Sequence, residues 1–362
     1  MLSRHYLRAK ALQSLYACTT ERQTDNDTSS EESVSTEHNP KYTPFYTTAA
    51  ADEFHRSIQS LNDLGIMQLS VLPEFLHVAE IAIEEASHKF NPTQMERLSS
   101  RRLPENSFIL RLADNYSYRK YVEKLRIDWS TVSNTLRKLY NTLKTKPLYQ
   151  QYLETENSGY NADKEMALEL FRFLLSDDAV RHFIYERGLL WEDDFDQISQ
   201  YNYMMLKTLT EDTFNESSPL PIMFDKTKEK DSDDFDFARQ LLVDTLTHMD
   251  ENETIIREHL QNWDFERVAT IDLLLINMAI TEFTCCSSIA EKVTVNEYIE
   301  LAKEFSTDKS SIFVNGILDK ILIDLRREGK VVKTGRGLID FSENDEFNDI
   351  STEFAYSTET ES

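Results

Sequence analysis

The sequence predicts an all-α protein, and three observations lead there. Its 362 residues include only seven glycines and eight prolines, too few turn formers for a sheet-rich fold. Apolar residues recur at helical spacing over long stretches, with charges between them. Near the C-terminal end, over 262–320, three helical blocks follow one another with short breaks. At 40% hydrophobic residues the chain can bury a core, and its length allows two domains or one with a large insertion.

The first block spans about 265–283. Val268, Ile271, Leu274, Leu275, Met278 and Phe283 fall near a 3.6-residue period, and Leu273, Ile276 and Ile280 occupy the other faces. A helix apolar nearly all round is a buried central helix. Glu266, Arg267, Asp272 and Glu282 interrupt it, and it is too short for a bilayer span. The second block opens on Thr294 and Glu297, the spacing of a capping box, with Val293 and Tyr298 as the staple. Ile299, Leu301, Ala302 and Phe305 supply its buried face. The third follows Ser306-Thr307-Asp308, favourable helix-start residues. Phe313, Ile317 and Ile321 form its stripe, widened by Val314, Leu318 and Leu325. Gly316 sits mid-helix at a cost of about 1 kcal/mol against alanine, which leads us to expect close packing against its backbone.

Charge narrows the function classes. A formal charge of −25 argues against general nucleic-acid binding, which rests on a basic footprint, but allows a local basic patch. Cys18, Cys285 and Cys286 make neither a disulfide framework nor C-x-x-C metal spacing, and point to reduced thiols in a cytoplasmic protein. The N-terminus lacks the unbroken apolar run of a signal peptide.

At the N-terminus, spacing predicts an amphipathic helix over 3–17, with Leu7, Ala11, Leu12 and Leu15 inward. Arg4, Arg8 and Lys10 cluster in its first two turns, with His5 and Tyr6 interleaved. The helix macrodipole does not favour cations there. The cluster therefore reads as an RNA-backbone and base-stacking footprint, or as a solvated helix end.

Residues 19–49 read as a flexible polar linker. A helical insertion is expected over 50–224, with helices ending at Gly65 and restarting after Pro73, and with Pro92, Pro104 and Pro147 punctuating later connections. Residues 225–234 read as a charged loop, and 237–260 as one helix with Phe237, Leu241, Leu242, Leu246 and Ile256 inward. The 331–362 tail is basic and then acidic, and reads as disordered. Arg326, Arg327, Lys330, Lys333 and Arg336, with Gly335 and Gly337, make either a phosphate-binding exit or a flexible one.

Catalytic motifs are absent: no phosphate loop, no dinucleotide glycine pattern, no H-E-x-x-H and no nucleophile elbow. His77, Glu80 and Glu84 share one helical face. The di-iron motif has the reverse order and a second copy on another helix, so we expect no metal, no cofactor and no enzyme.

The stretch VTVNEYIELAKEFSTDKSSIFVNGILDKI, 293–321, resembles the C-terminal signature of the NusB family of transcription antitermination factors. Asn296, Glu297, Glu300 to Lys303, Phe305, Phe313 to Gly316 and Leu318 to Lys320 match that pattern. Gln13-Ser14-Leu15-Tyr16 resembles the end of the family's arginine-rich first helix. The resemblance implies a long family form, in which 1–18 packs with a bundle over 233–330 around the insertion. It also implies a binding protein rather than an enzyme. Such a protein recognises the boxA element of ribosomal RNA transcripts together with NusE, a small-subunit ribosomal protein, within an RNA polymerase antitermination complex. By that register Arg4, His5, Tyr6, Arg8 and Lys10 are RNA-contacting, with His5 and Tyr6 standing where the family has arginines. Lys309, in the loop before the last helix, adds to the RNA face. Tyr16 and Phe237 fall at the partner surface. The runner-up is an acidic helical scaffold with little RNA binding of its own. No membrane association is implied.

Overall fold

The structure is a computed structural model that describes residues 2–28, 44–91, 100–154, 159–188, 190–220, 229–260 and 265–338. Among these, regular structure is helical throughout, with no strand, as the composition predicts. Residues 29–43 of the expected linker, part of the charged loop (225–228) and the acidic tail from 339 lie outside the described residues; the rest of that linker, 19–28 and 44–49, is helical instead, because the flanking helices run on through it.

The chain divides into two compact units. A central unit comprises Met1–Ser3 and His55–Asp233; a terminal unit comprises Arg4–Phe54 and Asp234–Ser362. In the terminal unit, α1 (Arg4–Thr28) and the start of α2 (Pro44–Ser87) join α10 (Glu229–Thr247), α11 (Met249–His259), α12 (Thr270–Cys285), α13 (Glu291–Phe305) and α14 (Ser310–Arg327). α12 is the hub: α1, α11, α13 and α14 all pack on it. Leu274 to Phe283 are buried on every face, as an all-round apolar helix requires. The stripe Leu7, Ala11, Leu12 and Leu15 of α1 is likewise buried, none more than 2% exposed.

Several boundaries differ from expectation. α12 begins at Thr270, after a short 3-10 turn at Phe265–Arg267. The 237–260 helix is two helices parted at His248. α10 starts at Glu229, inside the expected charged loop. The capping box does not form. α13 starts a turn early, behind Ala290, and its Thr294 hydroxyl donates to Glu282 instead (2.8 Å), while Glu297 accepts from His5 and Arg8. Charge-assisted bonds to other helices outcompete the local cap. α14 starts at Ser310, whose hydroxyl donates to the buried Asp272 (2.8 Å).

The central unit holds the rest of α2 with α3 (Ser107–Asp114), α4 (Tyr116–Leu125), α5 (Ser133–Leu143), α6 (Pro147–Glu154), α7 (Tyr160–Leu175), α8 (Asp178–Tyr185) and α9 (Trp191–Thr208). α2 runs unbroken through Gly65 and Pro73, against the expected stop and restart. Neighbours in the unit fix it. The Asn202 amide of α9 donates to the Gly65 carbonyl (3.0 Å), and Gln68 donates to the Phe195 carbonyl (2.9 Å). α2 is long and apolar enough to cross a membrane by length and composition, but 61% of its most apolar window is buried, as in a core helix. His77, Glu80 and Glu84 lie exposed on it, and no group of three or more metal-ligating side chains occurs among the described residues. Asn106 and Asn115 cap α3 and α4, each side chain accepting a backbone N–H at 3.0 Å.

The 326–337 stretch is docked by its own contacts. Lys333 donates to the carbonyls of Glu282 and Cys286 (3.2 and 3.0 Å) at the end of α12, and the Thr334 N–H donates to the Ser287 carbonyl (2.9 Å). Arg326, Arg327 and Lys330 pair with Glu291, Asp324 and Glu328. Those pairings leave little of the stretch's charge free for a phosphate.

Two glycines make opposite demands. A Cβ at Gly337 would lie 2.2 Å from the Ser287 carbonyl oxygen, whereas one at Gly316 meets nothing within 4 Å. The expected close packing at Gly316 is therefore not present; its backbone is exposed. In urea unfolding we expect Gly316→Ala to add about 1 kcal/mol. Gly337→Ala should cost about 1–3 kcal/mol, because backbone must move.

Candidate nucleic-acid interface

Arg4, His5 and Arg8 reach α10, α12 and α13 of the terminal unit. Helical spacing puts Arg4 and Arg8 on one side of α1, and that side faces protein. Their guanidinium carbons sit 4.9 and 5.0 Å from the centre of the Phe237 ring on α10. Arg8 is 2% exposed and forms a two-pronged bond with Glu282, which is 0% exposed. Its Nε donates to Oε2 and its Nη2 to Oε1, both at 2.8 Å. The carboxylate also accepts the Thr294 hydroxyl (2.8 Å) and the Tyr298 hydroxyl (3.2 Å). Four donors thus satisfy a buried carboxylate.

Electrostatics follow from this arrangement. Burial works against the charged form of Arg8, yet the adjacent Glu282 charge and its hydrogen bonds hold the guanidinium more firmly protonated than usual. Burial, then the Glu282 charge, pushes the Tyr298 hydroxyl far up, so it stays a donor. Burial and Glu282 also push the Cys286 thiol up to about 12.

The rim of the cluster is more open. Arg4 Nε donates to Asp234 (2.7 Å), with 43% of the Arg4 side chain exposed. His5 lies between two carboxylates of α13, Nδ1 at 3.0 Å from Glu297 and Nε2 at 3.3 Å from Glu304. Only the imidazolium can donate to both. The hydrogen bond to Glu297 is the main reason its pKa is raised. Glu297 is pulled below the usual range: burial opposes this, but the His5 bond and the Arg8 and His5 charges win.

The other sequence-derived candidates separate by exposure. Tyr6 is 8% and Lys10 2% exposed, and the Lys10 ammonium lies over the Tyr6 ring and bonds Gln13. Lys309 is exposed at the start of α14 and makes no ion pair among the described residues. Tyr16 is 44% exposed, and Phe237 is half-buried under the two guanidinium groups. The structure thus gathers Arg4 and Arg8 around Phe237 and sets His5 against α13, but turns Arg8, Tyr6 and Lys10 inward. Glu282, Asp234 and Glu304 are the site residues that sequence reasoning did not assign. The available signal was Glu282 itself, a carboxylate near the end of an apolar helix that demands a buried cation.

Known proteins resolve the family. The NusB family model matches residues 195–322. The transcription antitermination protein NusB of Salinibacter ruber is 46% identical over 111 residues, which is 31% of this chain and 69% of that protein. The chain belongs to the NusB family. The NusB proteins of Chloroherpeton thalassium and Myxococcus xanthus are 41% and 35% identical over 105 and 103 residues, covering 50% and 74% of their own lengths. No solved structure matches the chain. The NusB match begins inside α9 of the central unit and takes in α10 to α13 and most of α14, so Glu282, Glu297 and Lys309 fall within it. α1 and its cations precede it.

The buried pair sets two expectations. Glu282→Gln should cost about 3–5 kcal/mol in urea unfolding by leaving Arg8 buried and unmatched, whereas Arg8→Met/Glu282→Leu should recover most of that loss. The second concerns pH. The raised His5 pKa stabilises the fold fully below its ordinary value of 6.5, and this is lost as pH climbs through the folded value. The lowered Glu297 pKa stabilises above its ordinary 4.5 and is lost as pH falls through the folded value. The two contributions overlap between those ordinary values. Thermal melts across pH should show His5→Gln flattening the decline above pH 6.5.

Proposed function

We propose that this protein is a transcription antitermination factor that binds boxA-type RNA together with the ribosomal protein NusE, as part of an RNA polymerase complex in ribosomal RNA transcription. The observation that carries the reading is the 46% identity to a protein named for transcription antitermination. The reaction is assembly, not catalysis. Arg8 and Glu282 seat α1 against the bundle, and Tyr6 and Lys10 pack beneath it; these residues position rather than touch RNA.

Direct contact falls to the open cations. Arg4 commits Nε to Asp234 and leaves its Nη groups without a partner among the described residues. Lys309 lies five residues beyond Glu304, to which His5 reaches, so the α13–α14 loop and the start of α1 share one edge of the terminal unit. Arg4 and Lys309 engage phosphates there, and His5 adds its charge when protonated. Tyr16, exposed further along α1, is the accessible residue for NusE, since Phe237 is covered by the arginines.

One observation favours a second reading, an acidic scaffold with little RNA affinity of its own: three of the five N-terminal candidates are buried on a body of charge −25. RNA titrations with and without NusE separate the two. Binding selective for boxA over a scrambled RNA, strengthened by NusE and weakened about five- to tenfold at 100 mM salt by Arg4→Ala/Lys309→Glu, supports the first reading. Partner binding with no RNA selectivity under any condition supports the scaffold.

A further inference from the structure

The central unit carries a basic surface that the family match does not include. Residues 116–146 hold eight Lys and Arg against two carboxylates, Glu123 and Asp128, in a chain with 64 acidic and 39 basic residues. Arg119, Lys120 and Lys124 are exposed on α4, and Arg126 follows at its C-cap. The side chains of Arg119, Lys120 and Arg126 make no hydrogen bond or ion pair among the described residues. Lys124 has one long contact with Asp63, 3.4 Å. Helix dipoles favour Lys124 but not Arg119 or Lys120, which lie in the first half of α4. Arg126 takes a left-handed backbone, φ 50°, where glycine or asparagine costs less.

A cavity of about 500 Å³ lies against the same helix. Arg119 and Glu123 of α4, Pro73 and Glu74 of α2, and Ile127 and Trp129 line it. The indole is fixed: its N–H donates to the Ser70 hydroxyl (2.9 Å), and its ring lies 4.7 Å from Phe183. Arg187, exposed, donates to the Asp128 carbonyl (3.0 Å) and places a further cation beside the cavity-lining residues 127 and 129. Burial raises the Glu74 carboxyl above its usual range, as expected for a group on a half-dry wall. The site therefore combines a cationic rim, a rigid aromatic wall and two carboxylates facing a space large enough for a flat heterocycle. Cations hold the phosphates of a strand. Carboxylates accept the exocyclic N–H of a base such as cytosine. A base inside such a cavity must be unstacked, which favours a single strand over a duplex.

We propose that the central unit binds single-stranded RNA, with Arg119, Lys120 and Arg126 on its phosphates and one unstacked base in the cavity beside Trp129, its N–H edge facing Glu74 and Glu123. These residues belong to the central unit and lie outside the 195–322 family match, whereas Arg4 and Lys309 belong to the terminal unit.

The test uses the full chain and a labelled 12-nucleotide single-stranded RNA of mixed sequence without boxA, followed by fluorescence anisotropy at 50–200 mM salt. Arg119→Ala/Arg126→Gly removes two cations and relieves the left-handed backbone, and circular dichroism checks that helicity is kept. Affinity should fall about tenfold or more at 50 mM salt, and the logarithmic salt slope should flatten by about 0.7 per lost phosphate contact. Photo-crosslinks from 4-thiouridine RNA should map to 116–129. Unchanged affinity and slope, or crosslinks confined to the start of α1 and 306–309, overturn the proposal. So does loss of this binding only in Arg4→Ala/Lys309→Glu, an outcome that leaves the bundle site standing. Binding of anionic phosphatidylglycerol vesicles that the Arg119/Arg126 variant abolishes, with RNA binding intact, overturns it in favour of a membrane surface.

Discussion

The two-pronged bond between Arg8 and Glu282 is the constraint around which the terminal unit is arranged. A carboxylate with no solvent exposure near the end of α12 is unstable unless its lone pairs have donors, and the donors come from α1 and α13. That requirement fixes the depth and rotation of α1, places Phe237 beneath the two guanidinium groups, and diverts Thr294 from capping its own helix. Apolar burial along Leu7, Ala11, Leu12 and Leu15 holds α1 to the bundle, but it is tolerant of small slides. The buried ion pair is not, because its hydrogen bonds have a single geometry.

Function follows from how this constraint divides the positive charge. The cations deepest in the bundle serve the fold, and those at its rim remain for a ligand. A chain this acidic leaves only a few open cations at the rim of the bundle, so the RNA-facing edge we propose is small rather than a broad basic face. Such an edge fits recognition shared with a partner, where each component contributes part of the contact.

The fold class and the family were both legible in the residues. Helical spacing identified the stripes of α1 and α12, and fourteen matched positions over 293–320 carried the family. The details that were not legible depend on contacts across long stretches of chain. Arg8 and Glu282 are 274 positions apart, so spacing saw a basic helix end and a stray carboxylate rather than a pair. Thr294 and Glu297 satisfied a local capping pattern, yet charged partners on other helices took both side chains. Gly65 and Pro73 are local breakers, but Asn202 and Gln68 tie their helix to α9 and the backbone runs on. In each case a tertiary, charge-assisted or buried bond accompanies the loss of a local preference of about 1–3 kcal/mol.

Hydrogen exchange on the full chain, free and bound to boxA RNA with NusE, tests the central claim most directly. The account predicts slow exchange in α12 in both states. RNA should add protection at the first turn of α1 and at 306–309, and Tyr16 and its neighbours should become protected only when NusE is present. Protection that avoids the start of α1 and the α13–α14 loop, or an α1 that exchanges freely as though undocked, would contradict it.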